Sequence, residues 1–181
     1  CVGDIGTHAF NMVELVAGSN VKKILSHLNN LYDDNPMDVD ANILIQLENG
    51  ANGTIRSSQI ATGEENNLRI SIYGDKGGLK WEQENPNYLY HLSDNEPMRV
   101  LKTAHPYNYE IANISTKIPP GHPEGIFDSM GNIYNGVARA IKKQKFDSVE
   151  FPSIDEGVRG MDFIEKAVKS HQSGNIWMNL D

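Results

Sequence analysis

The 181-residue sequence predicts an α+β fold, an open, mostly antiparallel β-sheet with helices packed on one face. Strand-like runs succeed one another from Val21 to Leu92, helical periodicity is confined to the two ends, and turn signals at Asn49-Gly50 and Gly74–Gly78 separate the runs.

Val2, Ile5, Ala9, Met12, Val13 and Val16 keep helical spacing up to Gly18, so residues 2–17 are expected to form a helix that the glycine ends. Val21–Tyr32, Val39–Glu48 and Ala51–Ile60 are rich in aliphatic and β-branched residues and read as strands. Asn49-Gly50 joins the last two as a tight hairpin. Leu68–Tyr73 and Leu79–Glu84 flank Gly74-Asp75-Lys76-Gly77-Gly78 in the same way, and Tyr88–Leu92 continues an antiparallel meander. Residues 93–121 contain Pro97, Pro106, Pro119 and Pro120 with few apolar anchors, and read as a long loop. A second helix follows, with Pro123 in its first turn and a stripe of Ile126, Phe127, Met130, Ile133, Tyr134, Val137 and Ile141. Asp155 opens a third, with Val158, Met161, Ile164, Ala167 and Val168 inward, before Gly174 and a closing strand from Ile176 to Leu180. Alternation along Asn42–Leu47 and Arg69–Tyr73 is mixed, so the sheet's second face needs a second sheet or a second subunit.

Composition fits one globular domain over residues 1–181, with 39% hydrophobic and 22% charged residues. The formal net charge of −8 argues against nucleic-acid or membrane-surface partners, which reward a basic patch. Cys1 is the only cysteine, which removes an internal disulfide framework and any multi-cysteine metal site. No apolar run approaches the roughly 18–20 residues of a membrane span, and cytoplasm is the expected compartment. The chain opens at Cys1 with a helix already under way, so a piece of a longer protein is expected.

Asp4 and His8 are four residues apart in the first helix and project from one face. A carboxylate that hydrogen-bonds an imidazole fixes its tautomer and favours its charged form, which suits proton transfer near neutral pH. The same pair also fits a capping Asp and a hydrogen-bonded His with no chemical role. His122 and Glu124 precede the second helix, where Pro123 can start it, Glu124 can favour its dipole and His122 can cap it. His27, His91, His105 and His171 have no evident partner and read as structural or solvated.

The ordered set Asp4-Ile5-Gly6-Thr7-His8, Glu48-Asn49-Gly50-Ala51-Asn52-Gly53-Thr54, Tyr73-Gly74-Asp75-Lys76-Gly77-Gly78-Leu79 and Gly121-His122-Pro123-Glu124-Gly125 resembles one family. With the tail Asp155-Glu156-Gly157 and Gly174-Asn175-Ile176-Trp177, it is similar over the whole chain to the carboxy-terminal domain of Gfo/Idh/MocA oxidoreductases. The resemblance implies a glyceraldehyde-3-phosphate-dehydrogenase-like carboxy-terminal fold, a homo-oligomer built through the open sheet face, and hydride transfer between a sugar, inositol or related polyol and NAD or NADP. It further implies that the cofactor is bound mainly by an amino-terminal Rossmann domain lying outside residues 1–181. That family's Lys-Pro element has no match here, and this chain alone is expected to be inactive.

The resemblance assigns His8 as the base that accepts the alcohol proton, Asp4 as the group that orients and charges it, and Thr7, His122 and Glu124 as substrate-binding residues. The superfamily's nicotinamide-using glycosidases and dehydratases fit the same motifs. Gly74–Gly78 lies between two strands, where glycine serves positive φ and not phosphate. Two other classes compete: a metal-dependent hydrolase with Asp4, His8, His122 and Glu124 as ligands, and a non-catalytic scaffold of the same fold.

Overall fold

The computed structural model describes residues 1–144 and 151–180. Its elements are a π-turn at Val2–Gly6, α1 Thr7–Ala17, β1 Val21–Asn29, β2 Asp40–Leu47, β3 Asn52–Ser58, β4 Arg69–Gly74, β5 Gly77–Glu82, β6 Tyr88–Ser93, β7 Glu96–Lys102, α2 Glu110–Ser115, α3 Ile126–Ile141, α4 Ile154–Gln172 and β8 Met178–Asn179. The chain divides into two compact units, Cys1–Glu64 with Pro152–Asp181, and Glu65–Phe151.

The first unit is a four-stranded antiparallel sheet in the order β3-β2-β1-β8, with α1 and α4 on one face. Strict alternation along β2 sends Ala41, Ile43, Ile45 and Leu47 into the core and leaves Asn42 and Leu44 exposed. Phe10 of α1 and Phe163 of α4 stack at 4.4 Å over Ile24, Ile43 and Ile55, and this aromatic pair closes the helix–sheet layer. A buried polar set threads the same core. Ser26 N–H donates to Ser170 Oγ at 2.9 Å, Ser26 Oγ–H donates to Ala167 O, and Ser170 Oγ–H donates to Ile176 O at 2.6 Å, so no hydroxyl is left unsatisfied. α1 ends as expected, with Gly18 left-handed at φ 59°. Its carboxy-terminal turn is clamped by Glu14, whose Oε1 accepts from Val21 N and from Arg159 Nη2, each at 2.7 Å.

The second unit is a four-stranded meander, β4-β5-β6-β7. The predicted single sheet is therefore two four-stranded sheets. Residues 93–121 are not one loop: β7 pairs with β6 through Tyr88↔Lys102 to His91↔Arg99, and α2 follows. Pro97 is tolerated because β7 is an edge strand, where a missing N–H costs no ladder bond. Pro123 is not in the first turn of α3 either; Gly125 is its N-cap, and Gly125 N–H donates to Asp128 Oδ2 at 2.8 Å. Much of the α3 stripe, including Ile126, Phe127, Tyr134 and Ile141, is exposed.

The third helix starts one residue earlier than expected, capped by Ser153 and Glu156, which bond each other's backbone N–H groups. Val158 and Met161 point outward, and Phe163, Ile164, Ala167 and Val168 point inward. The stripe is rotated because Phe163 seeks Phe10, and burying an aromatic pair outweighs burying one Met. Among the described residues no helix is long and apolar enough to cross a membrane.

Candidate active site

The helical spacing that motivates the Asp4 and His8 pair is realised, with a local variation. Ile5 N–H and Gly6 N–H both donate to Cys1 O, at 2.9 and 3.2 Å, which widens the first turn into a π-turn before α1 begins. Asp4 and His8 are both exposed, while Val2, Gly6 and Phe10 are buried on the opposite side. The predicted carboxylate–imidazole hydrogen bond does not form. Asp4 Oδ2 instead accepts from Gln59 Nε2 at 2.9 Å, a donor from the segment after β3 that nothing in the local sequence signals. Gln59 is itself held, its backbone N–H donating to Val39 O at 2.8 Å, so the acid is fixed to the sheet and not to its helical neighbour. Among the described residues His8 has no hydrogen-bond partner, and the residue is exposed. Thr7 is half-buried, and its Oγ1–H donates back to Gly3 O at 3.4 Å as a helix residue does.

His122 and Glu124 lie in the second unit, in the loop before α3. His122 is exposed and its Nδ1 lies 3.3 Å from Pro119 O, which accepts when that nitrogen carries the proton. Neither residue caps the helix. Glu124 Oε1 accepts from Lys117 N at 2.7 Å, which closes the loop on itself. The main chain of Glu124 is gripped at both polar atoms: Asn87 Nδ2 donates to Glu124 O at 2.8 Å, and Glu124 N–H donates to Asn87 Oδ1 at 3.0 Å. Asn87 directly precedes β6, and its partnership 37 positions away has no local signal.

Other expectations resolve structurally. His27 and His171 meet edge to face at 5.6 Å, with His27 Nδ1 3.0 Å from Asn175 Nδ2 and His171 Nδ1 accepting from Leu28 N–H at 3.4 Å. His105 stacks on Tyr107 at 4.9 Å. Among the described residues no group of three or more His, Cys, Asp or Glu side chains gathers as metal ligands, so the hydrolase reading finds no centre.

Gly77 and Gly78 are glycines for packing. A Cβ on Gly77, at φ +140°, would sit 2.2 Å from Leu92 O, and one on Gly78 would sit 2.9 Å from Tyr73 Cδ1. These residues do not fit a dinucleotide phosphate cradle.

Asp40, the first residue of β2, is a buried carboxylate. Burial opposes its ionisation, but donors from Ser58, Asn29 and Asn42 and the nearby Arg56 charge outweigh this and hold its carboxyl below the usual range.

Comparison with known proteins accounts for the architecture. Residues 1–80 match the family model described as the GFO/IDH/MocA C-terminal domain. An uncharacterized oxidoreductase of Bacillus subtilis (strain 168), YfiI, is 30% identical over 187 residues, covering 99% of this chain and 48% of that protein. The crystal structure of an oxidoreductase from Sinorhizobium meliloti superposes with a TM-score of 0.93 at 38% identity, over 98% of this chain and 51% of its own. An inositol dehydrogenase homologue from Azotobacter vinelandii, complexed with NADH and myo-inositol, superposes with a TM-score of 0.81 at 25% identity, over 97% of this chain and 48% of its own. The chain spans about half the length of the relatives it matches. By sequence and by fold it belongs to the Gfo/Idh/MocA family, whose carboxy-terminal domain it carries.

Proposed function

We propose that this chain is the substrate-binding and catalytic half of an oxidoreductase that moves a hydride between a sugar, inositol or related polyol and NAD or NADP. The cofactor is assigned mainly to an amino-terminal domain of the same protein, because the glycines here serve packing. The observation that carries the reading is the exposed His8, without a hydrogen-bond partner among the described residues, one helical turn from a carboxylate whose Oδ2 is anchored by Gln59. The Azotobacter vinelandii homologue supports the polyol class.

Oxidising an alcohol releases a hydride and a proton, and the bound nicotinamide supplies the hydride acceptor. His8 accepts the proton from the substrate hydroxyl. Asp4, held on Oδ2 by Gln59, keeps Oδ1 available to stabilise the imidazolium or to receive a neighbouring hydroxyl. Thr7, His122 and Glu124 are proposed to contact the substrate, and the open face of the antiparallel sheet is proposed as the homo-oligomer interface.

The test uses the full-length parent with NAD or NADP and a panel of myo-inositol, D-glucose and sorbitol. Turnover of at least one polyol is expected, and His8→Ala should lower kcat by about 10²–10⁴-fold, the usual contribution of a positioned base. Absence of turnover with the whole panel, or an unchanged kcat in the variant, overturns the reading; the latter outcome favours a scaffold.

A further inference from the structure

The loop that carries His122 is fixed at one residue by a side chain from elsewhere in its unit. Asn87 Nδ2 donates to Glu124 O at 2.8 Å and Asn87 Oδ1 accepts from Glu124 N–H at 3.0 Å, a pairing that copies the donor and acceptor of a peptide group. Oδ1 also accepts from Thr103 Oγ1 at 3.2 Å, and Thr103 N–H donates to Asn87 O at 3.3 Å, so the amide is oriented from its other side. Asn87 is only partly exposed and directly precedes β6, which gives the clasp a rigid base.

Upstream of the grip the chain is held within the loop itself, His122 N–H donating to Pro119 O at 3.2 Å and Lys117 N–H to Glu124 Oε1 at 2.7 Å. Gly121 is left-handed at φ +87° with open space where a Cβ would lie, and His122 is exposed. Downstream, Gly125 N–H is capped by Asp128 and α3 begins. The backbone at residue 124 is thus the point from which His122, two residues earlier, is launched.

From this geometry we propose that Asn87 is a positioning residue for substrate binding, acting through the main chain of Glu124 to hold His122 and the Glu124 carboxylate in place. The proposal rests on the reading of residues 121–125 as substrate-binding. No other uncharged side chain of this size offers both a donor and an acceptor in one plane; Asp retains the acceptor but turns the donor into a second oxygen facing Glu124 O. A misplaced binding loop weakens substrate affinity before it alters the chemical step.

The test compares wild type, Asn87→Asp and Asn87→Ala in the full-length parent, with the panel polyol that is turned over fastest. Both variants are expected to raise KM about tenfold with kcat within about threefold, the signature of lost uniform binding. Hydrogen exchange should show faster exchange in the peptide spanning 117–125 and unchanged protection in β4–β6, which separates loop release from unfolding.

If wild type turns over a polyol but the variants leave KM and loop exchange unchanged, or lose kcat and KM effects together with protection of the whole sheet, the positioning role is wrong and the proposed activity stands. If wild type turns over none of the panel, the proposed activity falls and this role falls with it.

Discussion

Replacing Glu14 by Gln tests how α1, which carries His8, is held to its sheet. Glu14 Oε1 accepts from Val21 N at 2.7 Å and Arg159 Nη2 at 2.7 Å, Oε2 accepts from Arg159 Nε at 3.2 Å, and Arg159 Nη2 also reaches Val21 O at 3.1 Å. One carboxylate thereby joins α1, β1 and α4. The Glu14 hydrogen bonds push the Arg159 guanidinium further up from its ordinary range, against the cost of burial, with help from the charges of Glu14, Glu48 and Asp162. The two side chains are 11% and 21% exposed. Breaking a fully buried pair costs about 3–5 kcal/mol and an exposed pair about 0–1 kcal/mol. Glu14→Gln keeps one acceptor and leaves Glu48 and Asp162 near Arg159, so a loss of about 2 kcal/mol is expected, or about 4–8 °C in Tm.

Urea unfolding in a Trp81→Phe background makes Trp177, in the same unit as the clamp, the fluorescence reporter. A cycle with Arg159→Met should return a coupling of about 1–3 kcal/mol, and most of it should survive about 0.5 M salt, because a largely buried pair is poorly screened. A coupling below about 0.5 kcal/mol, or one abolished by salt, means that the clamp is an ordinary surface pair and that helix–sheet packing alone holds α1.

Other perturbations probe separate parts of the structure. Gly77→Ala places a Cβ against Leu92 O at φ +140° and should cost about 3 kcal/mol or more. Gly131→Ala, with open space in α3, should gain about 0.5–1 kcal/mol; thermal melts by circular dichroism rank the two, and equal effects refute the steric account. Phe163→Ala removes the fully buried partner of Phe10 and should cost about 3–5 kcal/mol in urea unfolding. Asp40 has a lowered folded pKa, so its stabilisation is present above the unfolded carboxylate value and is lost as pH falls through the folded one. Asp40→Asn should therefore flatten the acid side of a stability–pH profile, and an unchanged slope would show that other carboxylates govern it.

The elements read correctly from the sequence are those whose signal is short-range. Asn49-Gly50 closes a hairpin with Gly50 at φ +90°, Gly18 ends α1, and alternation in β2 names the core face, because turn chemistry and side-chain direction are set within a few residues. What failed was whatever depended on a neighbour distant in the chain. β7 is a strand because β6 offers it a ladder, and among the described residues no strand lies beyond it in its sheet, which is why Pro97 is harmless there. The stripe of α4 is rotated by the encounter of Phe163 with Phe10, 153 positions apart in the sequence. Asp4 takes Gln59 as its partner, and Glu124 takes Asn87, across separations of 55 and 37 residues.

Periodicity and turn propensity record what a segment prefers alone, and they are enough to mark α1, the strands from β1 to β6 and the helices α3 and α4. Hydrogen-bond partners and buried faces are chosen only when sheets and helices pack, because a donor's best acceptor is whichever group the fold brings within about 3 Å of it.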